Sequence, residues 1–325
     1  NLLRLGLYLA LFPKLVMGPI VPYHELEPAL AQRTIDAQDV SDGCYRFTIG
    51  LAKKALLADA LAGLVTGIWG DLASLTVLSA WLGLIGYALQ LYFDFSGYSD
   101  MAIGLGRMLG FRFPENFRYP YLCSSISDFW RRWHISLGSW FKEYLYFPLG
   151  GSRTGTLRTL RNLLLVWLAT GLWHGASWNY VLWGLYFGVL ICLEKLLAPR
   201  FRAHPRKGLL AGLYRPVCLL LAVLGWVLFR AEDLPAAGRY FACLFGGAAG
   251  ASAQARLYLH DFWPVLLLGA VGATPLCAKL AGRLGAKLQP GVRAAVQAVL
   301  VLALLACSTV WLLNGSFQSF VYFQF

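Results

Sequence analysis

Three runs between Asp94 and Ser177 decide how this chain reads: DFSGYSD (Asp94–Asp100), SISDFWRRWHISLGSWFKEYLYFPLGG (Ser125–Gly151) and GLWHGAS (Gly171–Ser177). Two histidines, His134 and His174, sit there in otherwise apolar, Trp-rich sequence. An ionisable residue inside lipid-spanning sequence is costly, so it points to function by default. Their weight depends on whether the surrounding sequence is of that kind.

It is. The chain is 58% hydrophobic and 14% charged, against about 25% charged in soluble domains. A mean hydropathy of +0.58 places it among polytopic membrane proteins. Aromatic residues, 15% of the chain, suit the membrane–water interface. The net charge of +12 would suggest nucleic acid in a soluble protein. Here Lys and Arg lie in short loops between apolar runs, the positive-inside pattern, and no nucleic-acid partner is expected. The seven cysteines are scattered without a C-x-x-C pair and read as small core residues. No H-x-x-x-H or Cys/His cluster exists, and His24, His204 and His260 fall in loops, so no metal site is expected.

Spanning candidates are Leu72–Phe93, Asn162–Ser177, Asn179–Leu197, Leu213–Phe229, Phe262–Leu280 and Val292–Leu313. The first is expected to end at Asp94. Leu2–Val21, broken by Pro13 and Gly18-Pro19, reads as kinked or re-entrant. Ala55–Trp69 carries Gly63 and Gly67 at a spacing that lets helices approach closely. Gly97–Phe113 reads as an interfacial helix. Basic loops Ser152–Arg161, Pro199–Lys207 and Arg283–Arg293 are expected inside, and Ala231–Asp261 and the C-terminus outside. The chain opens at Asn1 within an apolar run with no cleavable signal pattern, and is expected to be a fragment.

Ser125-Ile126-Ser127-Asp128 has capping-box spacing. It predicts one amphipathic helix from Ser125 to Pro148, with His134 at the margin of its apolar face. His134 taken alone also reads as an ordinary interfacial residue. His174 lies inside a span between Gly171 and Gly175, with Trp173 beside it and Ser177 and Asn179 as nearby hydrogen-bonding groups. A structural histidine bridging helices is the competing reading. Asp94 and Asp100 are candidate orienting carboxylates, or else helix-end residues paired with Arg107 or Arg131. The G-x-G spacing from Gly104 does not match a nucleotide fingerprint, and no G-x-S-x-G elbow is present.

Taken together, DFSGYSDMAIGLG, FPENF, SISDFWRRWHISLGSWFKEYLYFPLGG and GLWHGASWNYVLWG closely resemble the membrane-bound O-acyltransferase family. The subgroup resembled is the bacterial polysaccharide O-acetyltransferases, alginate and peptidoglycan enzymes among them, with teichoic acid D-alanine transfer more distant. The resemblance covers nearly all of the chain. It implies an all-α polytopic membrane protein, a single domain over 1–325 with its core motif region at 94–177. About seven to nine membrane helices would surround a central tunnel, with N-terminal helices missing. It implies that His174, of WHGA, is catalytic, and that His134, of RRWHISL, is the second functional histidine. The expected activity is acyl transfer, acetyl first, to an exopolysaccharide such as alginate or to a cell-wall polymer, in the bacterial cytoplasmic (inner) membrane. D-alanyl transfer, and a His-dependent transporter, are the alternatives. No cofactor is expected to stay bound; acetyl-CoA would be the cosubstrate. Arg131, Arg132, Lys142, Arg153, Arg158 and Arg161 form a basic rim for that donor, or serve as topology signals only. Expected partners are the bilayer, the acyl donor, and a periplasmic acetyltransferase or polymer-synthesis proteins.

Overall fold

The computed structural model describes residues 1–153, 155–203, 209–315 and 320, with side chains described at all of these except 198–203 and 209–211. Among the described residues all regular structure is helical. The helices are α1 (Leu2–Ala10), α2 (Tyr23–Ala31), α3 (Ala37–Ala52), α4 (Asp59–Trp69) and α5 (Val77–Met108). There follow α6 (Ile126–Trp130), α7 (Ile135–Phe141), α8 (Thr156–His174), α9 (Trp178–Ala203), α10 (Leu209–Arg230) and α11 (Leu234–Leu244). The last are α12 (Ala253–Gly272), α13 (Leu276–Gly285) and α14 (Pro290–Asn314). Between α3 and α4 the helix continues as one wide π segment, Lys53–Ala58.

Among the described residues four stretches are long and apolar enough to cross a membrane: α5, Trp178–Leu197, Gly212–Arg230 and α14. The pair α12 and α13, bent by 68°, makes a fifth if taken as one span. Trp178–Leu197, Gly212–Arg230 and α14 match expected spans in place; α5 runs well beyond the expected end at Phe93, and the bent pair stands where one span, Phe262–Leu280, was expected. α8 falls short of the hydropathy because Arg158, Arg161, Asn162 and His174 lie within it. The chain is therefore an all-α, multi-pass membrane protein.

The chain forms two compact units, and the first takes Asn1–Ala62, Leu89–Arg118 and the residues from Val265 on. Leu11, Val21, Leu26, Leu30, Phe111 and Phe113 make one apolar cluster within it. α3 and α5 run in near-contact along a glycine seam. A Cβ on Gly50 would stand 2.5 Å from the Gly97 carbonyl oxygen, and one on Gly43 2.7 Å from that of Gly104. Seven residues separate the two positions on each helix, two turns, so the seam repeats in register. That closeness brings polar groups together. Lys54 Nζ lies 2.7 Å from both Asp59 and Asp94, and all three side chains are nearly inaccessible. Asp100 takes Arg46 and Lys53 at 2.6 Å each, and Arg46 also holds Glu115.

This pairing corrects two expectations. Asp94 does not end a span, because Lys54 satisfies its carboxylate and α5 continues fourteen residues beyond it to Met108. The separate interfacial helix expected over Gly97–Phe113 is, up to Met108, the second half of that same helix. Asp94 and Asp100 pair with α3 and the π segment, not with Arg107 or Arg131.

The second unit takes Gly63–Ala88 and Tyr119–Pro264. Gly63 and Gly67 of α4 do permit close contact: their missing Cβ atoms leave room for Phe262 and Tyr258 of α12. α8 and α9 form a tight antiparallel pair. Around them Trp130 packs edge-on to Trp167 at 4.7 Å and to Phe187 at 4.8 Å, and Trp133 lies 4.8 Å from Trp226. This aromatic core is the platform of the site described next. The basic loop expected over Pro199–Lys207 is helical up to Ala203; 204–208 lie outside the described residues, as does most of the aromatic C-terminal run.

Candidate functional site

His174 is the last residue of α8. Gly175 stops the helix with a φ of +152°, a conformation that side-chain-bearing residues rarely adopt. The neighbouring glycines make room for α9. A Cβ on Gly171 would collide with the Tyr180 carbonyl oxygen, and one on Gly175 would stand 2.8 Å from the Tyr180 ring. The close turn folds α9 back against His174. Its ring, half-buried, then meets Trp173 at 4.8 Å, Trp183 at 5.0 Å, Phe229 at 5.0 Å and Tyr180 at 6.3 Å. Trp183 and Phe229 stand nearly perpendicular to it, the edge-to-face geometry that aromatic quadrupoles favour.

His134 reaches the same place by another route. Ser125 caps α6 as its sequence predicts, its Oγ accepting from Asp128 N at 2.9 Å. The reciprocal bond is displaced by one residue: the Asp128 carboxylate accepts from Ser124 N at 2.9 Å. A second carboxylate, Glu194 of α9, accepts from Ile126 N at 2.6 Å, Ser127 N at 2.9 Å and Ser127 Oγ at 2.7 Å. The Tyr214 hydroxyl donates to Glu194 at 2.7 Å. Negative charge at a helix N-terminus is favourable, so α6 is fixed at its start.

α6 does not continue as predicted. It ends at Trp130, and the chain turns before α7. His134 sits in that turn with φ +46°, one of two non-glycine residues in the left-handed region among the described residues. For a side-chain-bearing residue this conformation costs roughly 1–2 kcal/mol; Trp130 and Trp133, both just before His134, are packed in the aromatic core and fix the chain that enters it. The turn directs His134 inward. It is 7% exposed, not at an interfacial margin. Its ring lies 6.4 Å from Trp173, the same indole that meets His174. Burial, reinforced by the nearby His174, holds the His134 imidazole well below its usual range, at about 3.

The structure thus brings His134, Trp173 and His174 together. Ser177 and Asn179 hold the α8–α9 turn: Ser177 O accepts from Tyr180 N at 3.1 Å, and Asn179 Nδ2 donates to Ala231 O at 2.6 Å. Asp94 and Asp100 belong to the first unit and its ion pairs. Of the basic rim, Arg132 and Arg131 face Asp128 at 3.0 and 3.7 Å. Lys142 lies 5.4 Å from the Phe147 ring centre, and Arg161 donates to Asn162 at 2.9 Å. Arg153 and Arg158 are exposed.

Sequence reasoning passed over Glu194 and Arg230. Each had a signal. Glu194 is an acid near the end of an apolar span, the same anomaly that singled out the histidines. Arg230 closes a span at the end expected outside, where the positive-inside pattern does not ask for a cation.

The membrane-bound O-acyltransferase family model matches residues 1–224. A probable alginate O-acetylase of Pseudomonas fluorescens is 47% identical over 249 residues, 75% of this chain and 48% of the relative. A peptidoglycan O-acetyltransferase of Helicobacter pylori is 39% identical over 73% of this chain and 45% of the relative. A teichoic acid D-alanyltransferase of Bacillus subtilis is 30% identical over 58% of this chain and 50% of the relative. The chain spans about half the length of the curated relatives it matches. With the family model covering well over half of its residues, the chain belongs to the membrane-bound O-acyltransferase family.

Proposed function

We propose that this chain carries the acyl-transfer centre of a bacterial cytoplasmic-membrane O-acyltransferase that acetylates a cell-envelope polysaccharide, with His174 as general base. The observation that carries this reading is the meeting of His134 and His174 at one indole, that of Trp173, beside the aromatic core. The similarity to the alginate and peptidoglycan O-acetyltransferases supports the acetyl group and the class of acceptor.

The chemistry needs a base that is neutral at physiological pH, and imidazole suits that task. The acceptor hydroxyl oxygen bonds to the carbonyl carbon of a thioester donor, acetyl-CoA, while its proton passes to an imidazole nitrogen of His174. The carbon–sulfur bond then breaks, and the thiolate leaves with that proton. His134, kept uncharged by burial, orients or polarises the reacting carbonyl. Arg153 and Arg158, exposed at the start of α8, are free to meet donor phosphates. A periplasmic acetyltransferase or polymer-synthesis proteins are the partners of this reading. D-alanyl transfer is the second reading, favoured by the similarity to the teichoic acid enzyme.

The test is the acetyl content of envelope polysaccharide from a strain carrying His174→Ala. Removal of a general base costs about 10²–10⁴ in rate, so acetylation should fall to background. Normal acetylation with normally expressed protein would sink the assignment. A polymer that lacks D-alanyl and keeps acetyl groups would select the second reading.

A further inference from the structure

We propose that α13 and the turn into α14 bind an anionic phospholipid of the cytoplasmic leaflet, its phosphate met by the cations of that turn and its acyl chains by the leucines of α13. This surface lies in the first unit, and the two histidines lie in the second.

From Phe262 to Phe325 the sequence holds four cations, Lys279, Arg283, Lys287 and Arg293, and no Asp or Glu. The first three recur every four residues, and each is followed by a leucine: Leu280, Leu284 and Leu288. Leu276 stands one turn earlier. On a helix of 3.6 residues per turn, residues four apart share a face. A basic row therefore runs beside a leucine row along α13. An in-plane membrane helix uses that pairing: its leucines enter the acyl region while the flanking cations reach the headgroups.

Both rows are open. Every residue from Leu276 to Leu284 is exposed, and Leu284 is 63% exposed. Among the described residues none of the four cations has a carboxylate within 4.0 Å or a side-chain hydrogen bond. Arg46, Arg107 and Arg112, in the same unit, each have a carboxylate at 3.3 Å or less. Thr274 Oγ1 donates to Val271 O as α12 ends, and α13 departs from it at 68°. Turned so far from the direction of α12, α13 lies nearer the membrane plane than its normal.

At the end of α13 the rows reach a cavity of about 390 Å³, lined by Gln38 and Asp42 of α3, Gly285 and Leu288, and Arg293 and Gln297 of α14. The backbone at Gly285 runs close to Arg293: a Cβ there would stand 3.5 Å from its Nε. Asp42 is already engaged, by Arg107 at 2.5 Å and by the Gln38 amide at 2.8 Å. Arg293 is thus the uncompensated charge of this cavity, and Gln297, one turn on, adds an amide donor. A guanidinium with an amide suits a phosphodiester. The segment Arg283–Arg293 is expected on the cytoplasmic side, where the anionic leaflet attracts basic segments. The charge selects an anionic headgroup, and the exposed leucines select a lipid over a soluble phosphate.

The experiment uses the full-length protein in detergent and compares binding of fluorescent phosphatidylglycerol with that of phosphatidylcholine bearing the same chains. Wild type should hold the anionic lipid about a hundredfold tighter at low salt, near fivefold for each cation near the headgroup. The preference should shrink as salt rises. Arg283→Gln, Lys287→Gln and Arg293→Gln together should abolish it, and Arg283→Lys with Arg293→Lys should keep most of it. Leu280→Ser with Leu284→Ser should weaken both lipids alike. Equal affinity of wild type for the two lipids would overturn the proposal, and so would a preference that the triple variant retains. Displacement of the lipid by an equal concentration of glycerol phosphate would overturn it too, assigning the turn to a soluble phosphate. A dimer without lipid preference, dissociated by the two leucine substitutions, would assign the surface to a second copy of the chain. If the triple variant does not fold, Arg293→Gln alone decides, with an expected loss of about fivefold.

Discussion

Both units of this protein bury ionisable side chains in apolar sequence, and they satisfy them in opposite ways. In the first unit Lys54 lies between Asp59 and Asp94, and Asp100 lies between Arg46 and Lys53. Opposite charges meet at 2.6–2.7 Å, and the groups serve to fasten α5 to α3 and the π segment. In the second unit His134 and His174 have indole and phenyl rings around them, with Trp173 shared. A charge locked to its counter-charge has no proton to trade. An imidazole kept neutral by its surroundings is in the form that proton transfer to a base requires. Rarity in an apolar stretch therefore does not by itself mark chemistry; what surrounds the group does.

The contrast can be broken most forcefully at Lys54. Lys54→Met should leave Asp59 and Asp94 buried without their cation and cost about 3–5 kcal/mol, read as a large fall in thermal unfolding temperature in detergent. A stability close to wild type would mean that the triad is not the fastening described. Any fraction that folds should keep its per-molecule acyl transfer, because the fastening lies in the other unit.

A smaller effect is expected at Glu194, which belongs by charge to the first type of region and by location to the second. Glu194→Gln turns one acceptor into a donor facing Ile126 and Ser127. The loss should be about 1.5–3 kcal/mol, with kcat falling and KM for the donor unchanged, as expected of a residue that positions His134 through α6. If stability falls while kcat holds, Glu194 supports the fold and not the site.

The smallest effect concerns pH. The folded-state pKa of His134, about 3, lies below the unfolded value of about 6.5. The unfolded chain then binds more protons between those limits, so this contribution to stability is complete above about 6.5 and is lost as pH falls toward 3. His134→Gln should flatten the acid side of a stability profile measured between pH 7.5 and 5, and an unaltered slope would show that another group sets it.

Much of this was legible in the sequence. α9, α10 and α14 lie where their apolar runs ended, Ser125 caps a helix, and Gly63 and Gly67 admit a neighbouring helix. The rest depends on partners far along the chain. Asp94 looks like a helix end until Lys54, forty residues earlier, neutralises it. The turn at His134 has no glycine or proline to announce it; its left-handed backbone follows two tryptophans, Trp130 and Trp133, that are packed in the aromatic core. The two histidines were recognisable as a pair; their common neighbour Trp173 was visible only as one tryptophan among twelve.

The π segment Lys53–Ala58 has a consequence for comparing sequences. A π turn is an α-helix with one residue inserted. Here the wider turn lets adjacent residues, Lys53 and Lys54, reach acids six positions apart on α5, Asp100 and Asp94. A relative that lost one residue between 53 and 58 would regain a regular helix and turn one lysine away from its acid. In an alignment, a single gap at that point should therefore travel with a change at position 94 or 100, two distant columns that vary as one.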